Sequence, residues 1–289
     1  MEPHIAVLVL DTPIKNHADE FGDFGDNAVD LLRNSAVPLV KYQIAYGLDH
    51  PQHQAITDQN LARIRTLLDA GMLKGIVLTG SRSDSFDNEN PWIKSTDTFL
   101  KYVIANKPSF PMVGLCFGHQ LIAKNLGCKV NRNSTENGWE CGSTTIALNK
   151  SIFSVEKSPF VDALETDDGH VLEHINLVEF HRDVVYGLPP TASASSNSLL
   201  ASTTFQSIGS TNKCSIQGLI TESGPVKVLT FQGHPEFSTP LALNLLKLTL
   251  AIGKIDKATF DRSSYKTNNL INHGPLMGKV ILKFFESYS

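Results

Sequence analysis

The amino-acid sequence predicts an α/β protein, a three-layer sandwich whose central sheet is mostly parallel. Two observations carry that expectation. Short runs rich in Val, Ile and Leu alternate with segments of helical spacing through the first half of the chain, the pattern of a parallel sheet buried on both faces. The 289 residues, 41% of them hydrophobic, suffice for one large core. A single domain is therefore expected over 1–289, with 254–289 as a C-terminal extension packed on it.

The first apolar run, Ile5–Leu10, reads as a strand. It lacks the basic flank and small-residue cleavage site of a signal peptide. Further strands are expected at Pro38–Ile44, Gly75–Thr79 and Met112–Leu115, with helices between them at Asn27–Asn34, Asp58–Ala70 and Pro91–Ala105. In the second of these helices Leu61, Ile64, Leu67 and Leu68 share one stripe, Arg63 and Arg65 lie off it, and Thr57 with Asp58 supplies a start signal. The second half holds shorter strands, Gly142–Leu148, Leu199–Thr203, Ser215–Thr221 and Val226–Phe231, which would extend the same sheet with mixed or antiparallel pairing. Pro189–Ser198 and Ser210–Lys213 read as loops by composition. Pro240–Ile252 and Leu276–Phe285 read as helices, while the polar stretch Asp256–His273 has no clear pattern.

A net charge of −4 gives no reason to expect nucleic acid or an anionic membrane as partner. No window approaches the roughly 18 apolar residues of a spanning helix. The four cysteines, Cys116, Cys128, Cys141 and Cys214, form no C-x-x-C pair, so neither a disulfide framework nor a structural metal site is expected. With no targeting signal, the expected compartment is the reducing cytoplasm; nuclear entry stays open. No cofactor is implied.

The chemistry concentrates in "VGLCFGHQLIAKNLG". Pro111–Leu115 should be a buried strand and His119–Leu126 the helix after it, with Gly114 and Gly118 flanking Cys116 as G-x-C-x-G. This is the thiol form of a nucleophile elbow: a tight strand-to-helix turn holds the nucleophile in a strained backbone and bare neighbours give it room. Amides at the following helix N-terminus would stabilise a thiolate and then an oxyanion. The competing reading is a core cysteine beside structural glycines. A second strand end weighs against it. "VKVLTFQGHPEFS" places His234 and Glu236 just past an apolar strand. Strand ends of one sheet meet in space, so Cys116, His234 and Glu236 make a nucleophile, a base and an acid that fixes the base's tautomer.

Together "GLCFGHQLIA" and "FQGHPEFS" resemble the class I glutamine amidotransferase family, whose fold is flavodoxin-like. Within it the chain is similar to stand-alone relatives of the glutaminase domain of GMP synthase and to plant γ-glutamyl peptidases. "FGDFGDNAVDLL", "VLTGSRSDSFDNENPWI", "GWECG" and "HRDVVYGLPP" extend the resemblance over nearly the whole chain. The resemblance implies that Cys116 attacks a γ-glutamyl carbonyl, that His234 moves protons and that Glu236 orients it. It assigns the oxyanion to the backbone N–H groups of Phe117 and Ser81. Where the family commonly carries Gly-Gly-Pro, this chain has Gly80-Ser81-Arg82. Gln120 resembles the family's glutamine-binding residue, with packing or helix capping as its other reading.

Substrate recognition is also expected of Glu140, which would pair with a substrate ammonium or else form a surface salt bridge, and of Arg82, which would receive a carboxylate or else face solvent. The loop at 16–26, with Phe21, Asp23, Phe24 and Asp26, would cover the pocket, bind a partner or cap the next helix through Asp26. His170 and His174, at i,i+4 spacing near Asp168 and Glu173, could share a helix face and hold a metal; an amphipathic turn in a polar connection explains them equally. No G-x-x-x-x-G-K-[ST] phosphate loop is present, so any ammonia-accepting chemistry would need a separate synthetase subunit. The leading expectation is cysteine-dependent hydrolysis of glutamine or a γ-glutamyl peptide through a glutamyl thioester; the alternatives are a glutaminase subunit delivering ammonia to such a synthetase, and a catalytically silent regulatory or binding protein on the same scaffold.

Overall fold

The computed structural model describes residues 2–15, 17–47, 50, 52–166, 169–190 and 198–288. The chain begins with β1 (His4–Val9), the single turn α1 (Ala18–Phe21), α2 (Phe24–Leu31), β2 (Leu39–Gln43), α3 (His53–Asp69) and β3 (Leu73–Leu78). Next come α4 (Pro91–Asn106), β4 (Pro111–Leu115), α5 (Phe117–Asn125), β5 (Lys129–Arg132) and β6 (Glu140–Leu148). After a 3-10 turn at Lys150–Ser154 follow α6 (Val161–Leu164), β7 (His174–His181), β8 (Asp183–Tyr186), α7 (Ser198–Ala201), β9 (Thr204–Ser207) and β10 (Gly209–Ser210). The chain closes with β11 (Leu219–Ser223), β12 (Lys227–Phe231), α8 (Thr239–Ala251), α9 (Lys257–Asn269) and α10 (Gly274–Tyr288).

The central sheet has the order β2-β1-β3-β4-β12-β11-β9. Its first five strands are parallel, and β11 and β9 add antiparallel to one edge. Strand β1 shows why both faces must be covered. Ala6 and Leu8, and Leu10 just past the strand, enter one core with Leu61, Ile64, Leu100 and Leu121 from α3, α4 and α5. Ile5 and Val7 enter the other, with Ala28 of α2 and Val280, Ile281, Phe284 and Phe285 of α10. The two-residue alternation of a strand sends consecutive apolar side chains to opposite faces. Beside this sandwich stand a three-stranded sheet, β10-β6-β7, and the pair β5-β8.

Several elements differ from expectation. Leu199–Thr203 is not a strand: α7 occupies Ser198–Ala201 and β9 starts at Thr204. Thr203 Oγ1 donates to the Leu199 carbonyl at 2.7 Å, and Leu199 and Leu200 pack together on the core, as one helical turn allows and an alternating strand does not. Ser215–Gly218 precede β11 rather than belonging to it; Gly218, at φ +156°, gives its carbonyl to Ile208 N–H. Helix α3 starts at His53, so Thr57 lies inside it, its hydroxyl donating to the Ile44 carbonyl at 2.6 Å. The patternless stretch after α8 forms α9, capped by Asp256, whose carboxylate accepts Thr259 N–H at 2.7 Å. The polar connection around His181 is two strands, β7 and β8. Most of the proposed loop at 189–198 lies outside the described residues. No described helix is long and apolar enough to cross a membrane.

Candidate active site

Three parallel neighbours, β3, β4 and β12, end together. The registers Leu78↔Gly114, Thr230↔Gly114 and Phe231↔Leu115 place Gly80-Ser81, Cys116 and His234 at the carboxyl ends of adjacent strands, where open α/β sheets bind ligands. Cys116 N–H donates to the Phe231 carbonyl at 2.8 Å and Gly118 N–H to the Thr79 carbonyl at 3.1 Å, pinning the turn from both sides.

Cys116 sits at φ 49°, ψ −101°, a conformation that L-residues avoid and that surrounding structure must enforce. The flanking glycines permit it. A Cβ on Gly118 would come within 2.3 Å of the Leu78 carbonyl oxygen, and one on Gly114 within 2.6 Å of Gly118. Helix α5 therefore starts flush against the sheet. Phe117, its first residue, has no intrahelical acceptor for its N–H.

His234 is 3% exposed and Glu236 8% exposed. His234 Nδ1 lies 2.8 Å from Glu236 Oε1, and Phe237 stacks on the imidazole at 4.0 Å between centroids and 9° between planes. Burial alone would push His234 toward neutrality, but the adjacent Cys116 sulfur and the Glu236 carboxylate, each acting through charge and hydrogen bonding, raise it well above the usual histidine value. A Cβ on Gly80 would stand 2.8 Å from His234 Cε1 and 3.8 Å from Cys116 Cβ, so these three positions converge on one point. Gln232 Nε2 approaches Cys116 Sγ at 3.7 Å.

These residues open into a cleft of about 610 Å³, lined also by Ser81, Arg82, Asp84, Gln120, Arg132, Trp139, Arg182, Asp183 and Phe24. Its size suits a ligand well beyond a single ion or water, within the ~300–1,000 Å³ typical of small-molecule sites. Gln120 is buried at the floor, donating to the Asp183 carbonyl at 3.0 Å and Gln232 Oε1 at 3.1 Å while accepting from Ser85 Oγ at 3.0 Å.

The two charged candidates are differently occupied. Arg82 lines the cleft, but its guanidinium is committed to Asp11 through Nε and Nη2, at 2.9 and 2.8 Å, and to Thr12. Glu140 lies neither along this cleft nor on the surface. It is 6% exposed, is not among the cleft's lining residues, and accepts from His181 Nε2 at 3.0 Å, Gln217 Nε2 at 2.8 Å and Thr211 Oγ1 at 2.8 Å. The β6–β7 register, which pairs Glu140 with His181, turns this carboxylate into the protein.

His181 lies between two acids, with Glu179 Oε2 at 3.3 Å. Burial opposes its charge, yet the two carboxylates lift its pKa to about 10. Burial raises Glu179 as well. This group supports the histidine loop from below: His234 N–H donates to the Val178 carbonyl at 2.7 Å, and a Cβ on Gly233 would meet Glu179 Oε1 at 2.3 Å. His119, next to the elbow, faces away from the cleft, with Nδ1 2.8 Å from Thr230 Oγ1. Burial, then the charge on His181, drives its pKa down to about 3.

His170 and His174 do not share a helix face. His174 opens β7 and His170 precedes it in a turn; Asp168 lies outside the described residues. The 16–26 segment contributes Phe24 to the cleft, 6.4 Å from the His234 ring. Asp23 rather than Asp26 is the cap of α2, Asp26 closing the reciprocal bond, and both hold Lys41. The sequence assigned no role to Phe237, Arg132, Asp183, Arg182 or Lys254, although Phe237 lies one position past Glu236 and Arg182 and Asp183 fall within the HRDVVYGLPP stretch. Arg132 bridges Asp84 and Asp183, and burial together with Asp84 outweighs it to raise Asp183 to about 6.

The model of the family "Glutamine amidotransferase class-I" matches residues 39–249. A Saccharomyces cerevisiae protein provisionally named a glutamine amidotransferase is 31% identical over 284 residues, covering 97% of this chain and 96% of its own. Gamma-glutamyl peptidase 4 of Arabidopsis thaliana is 27% identical over 90% of this chain and 86% of its own. The GMP synthase of Wigglesworthia glossinidia brevipalpis is 25% identical over 57% of this chain but only 26% of its own. A glutamine amidotransferase structure from Thermotoga maritima superposes with a TM-score of 0.61 at 17% identity, over 99% of this chain and 100% of its own, a likeness of fold. With its parallel sheet and the family model spanning most of its length, the chain belongs to the class I glutamine amidotransferase family.

Proposed function

We propose that the cleft hydrolyses a γ-glutamyl amide bond through a glutamyl thioester on Cys116. The observation that carries this reading is the strained Cys116 facing a buried His234–Glu236 pair. Cys116 attacks the γ-carbonyl, and the oxyanion is held by the N–H groups of Phe117 and Ser81. His234, its tautomer set by Glu236, gives its proton to the departing amine as the C–N bond breaks. Water then enters, loses a proton to His234 and attacks the thioester carbonyl. Glutamate leaves, and the proton on His234 restores the starting Cys116–His234 pair. Division into two acyl transfers lowers each barrier. Gln120, which lines the same cleft as Cys116, would bind the glutamyl end. Arg82 would shape the cleft while neutralised by Asp11.

The substrate is glutamine or a γ-glutamyl peptide, and relatives named for each activity match the chain. A second reading, ammonia delivery to a separate synthetase subunit, is favoured by the GMP synthase match covering one part of those longer chains.

The test is glutamate release from glutamine and from γ-glutamyl dipeptides by purified protein, with Cys116→Ala as control. Release that disappears in Cys116→Ala supports the reading. Release that persists in it, or its absence from every substrate even with added synthetase, refutes it.

A further inference from the structure

The cleft holds more positive charge than its own acids neutralise. Arg82 is paired with Asp11, and Arg132 with Asp84 and Asp183. Arg182 and Lys254 also line the cleft, yet neither has an ion-pair partner among the described residues, and Arg182 Nε is shielded from solvent without a hydrogen-bond partner. Both lie against one aromatic ring: the Arg182 guanidinium is 5.8 Å and the Lys254 ammonium 5.5 Å from the centre of Trp139, within the range of cation–π attraction. The fold presents Lys254 there. Helix α8 ends with Gly253 at φ 70°, and Lys254 N–H returns to the Thr249 carbonyl at 3.0 Å, a turn that brings the lysine back over the cleft.

Depth separates this group from the reacting atoms. Cys116, Gln120 and His234 are buried at the floor, whereas Leu248 and Ile252, which share the rim with Lys254, are 37% and 65% exposed. The paired charges around Arg132 form a distinct group, with Arg132 over Phe86 rather than Trp139. Indole, two aliphatic side chains and two unneutralised cations make a surface for something apolar that ends in a carboxylate. An N–H shielded from water with no acceptor, as at Arg182 Nε, is costly, and an arriving anion would meet it.

We infer that Arg182, Lys254 and Trp139 form a leaving-group subsite that takes the C-terminal carboxylate of a γ-glutamyl peptide. The inference rests on the hydrolytic reading above and narrows it: the favoured substrate is a γ-glutamyl amino acid with an apolar side chain and a free carboxylate, rather than glutamine, whose leaving group is ammonia. The side chain packs on Trp139, Leu248 and Ile252 while the carboxylate meets the two cations. No step of the reaction runs through these residues; they set which amine departs.

The experiment compares γ-glutamyl-phenylalanine with its C-terminal amide, which differs only in that charge. Wild-type protein should prefer the acid in kcat/KM by roughly tenfold to a hundredfold, the usual worth of a charge-assisted hydrogen bond. Lys254→Gln and Arg182→Gln should each cost the acid about tenfold more than the amide, chiefly through KM. Lys254 is exposed, so its variant keeps the test valid if the arginine variant folds poorly. Equal losses for acid and amide would assign these cations to the glutamyl end or to folding and overturn the inference, as would an unaltered preference. If no γ-glutamyl compound is turned over, the hydrolytic reading fails, and calorimetric binding of the same two ligands to Cys116→Ala protein decides the subsite separately. Tighter binding of the acid, lost in Lys254→Gln, upholds it; equal binding overturns it.

Discussion

Glu140 offers the sharpest test of how this site is held. Its carboxylate is buried and accepts three hydrogen bonds, from His181, Thr211 and Gln217. Glu140→Ala removes all three and leaves the His181 cation with Glu179 alone. Breaking a buried ion pair by deleting one partner typically costs about 3–5 kcal/mol. At about 2.1 cal/mol/K of unfolding entropy per residue, a chain of this length should melt roughly 5–8 °C lower. The pH dependence adds a signature. His181 is raised to about 10, so its contribution is complete below the unfolded value near 6.5 and is lost as pH climbs toward 10. Loss of one anion lowers that upper limit, so the variant should begin to destabilise at a lower alkaline pH than wild type. Burial opposes the Glu140 charge, but His181, Thr211 and Gln217 more than compensate and lower its pKa. Its own contribution is therefore present above its unfolded value near 4.5 and lost on acidification through the lower folded one. Calorimetry across pH, beside KM for a γ-glutamyl substrate, is the assay. An unchanged melting temperature with a raised KM would refute the reasoning and return Glu140 to a role at the substrate ammonium.

Other expectations follow from the same geometry. Gly80→Ala should reduce kcat by at least about tenfold with little loss of stability, because the new methyl would lie 2.8 Å from His234 Cε1, and small misplacements of reacting groups are costly; kinetics beside thermal melting checks this. Gly118→Ala should fold poorly or lose about 1–3 kcal/mol, since its Cβ meets the Leu78 carbonyl at 2.3 Å and backbone yields little; denaturant unfolding reports the change. In Cys116→Ser the sulfur that helps raise His234 is gone, so the imidazole should titrate at lower pH than in wild type, observable by NMR of the histidine ring. Phe284→Ala should cost about 3–5 kcal/mol, as for other buried phenylalanines, because Phe284 is 2% exposed in the core shared with β1. A small loss there would show α10 to be a loosely attached extension.

The parallel architecture was legible because β1, β3 and β4 are apolar on both faces, and a strand's own neighbours encode that. The elbow was legible for a similar reason: Gly114, Cys116 and Gly118 must stand at fixed spacing for α5 to start against β3, and the histidine with its acid lies two residues apart on one turn. Segments without dominant local pattern were not. His174–His181 becomes strand β7 because β6 supplies its hydrogen bonds, and Leu199–Leu200 turn helical because both find one side of the core. Charged side chains were the least readable. Nothing near Glu140 in the chain indicates that His181 will neutralise it, nothing near Arg82 announces Asp11, and Arg182 and Lys254 meet at Trp139 only after α8 folds back over the cleft. Periodicity and turn chemistry arise between residues a few positions apart, which made the sheet, the elbow and the histidine turn readable along the chain; a charge finds its partner across distant segments, so folding alone settles which charges serve the scaffold and which remain for a ligand.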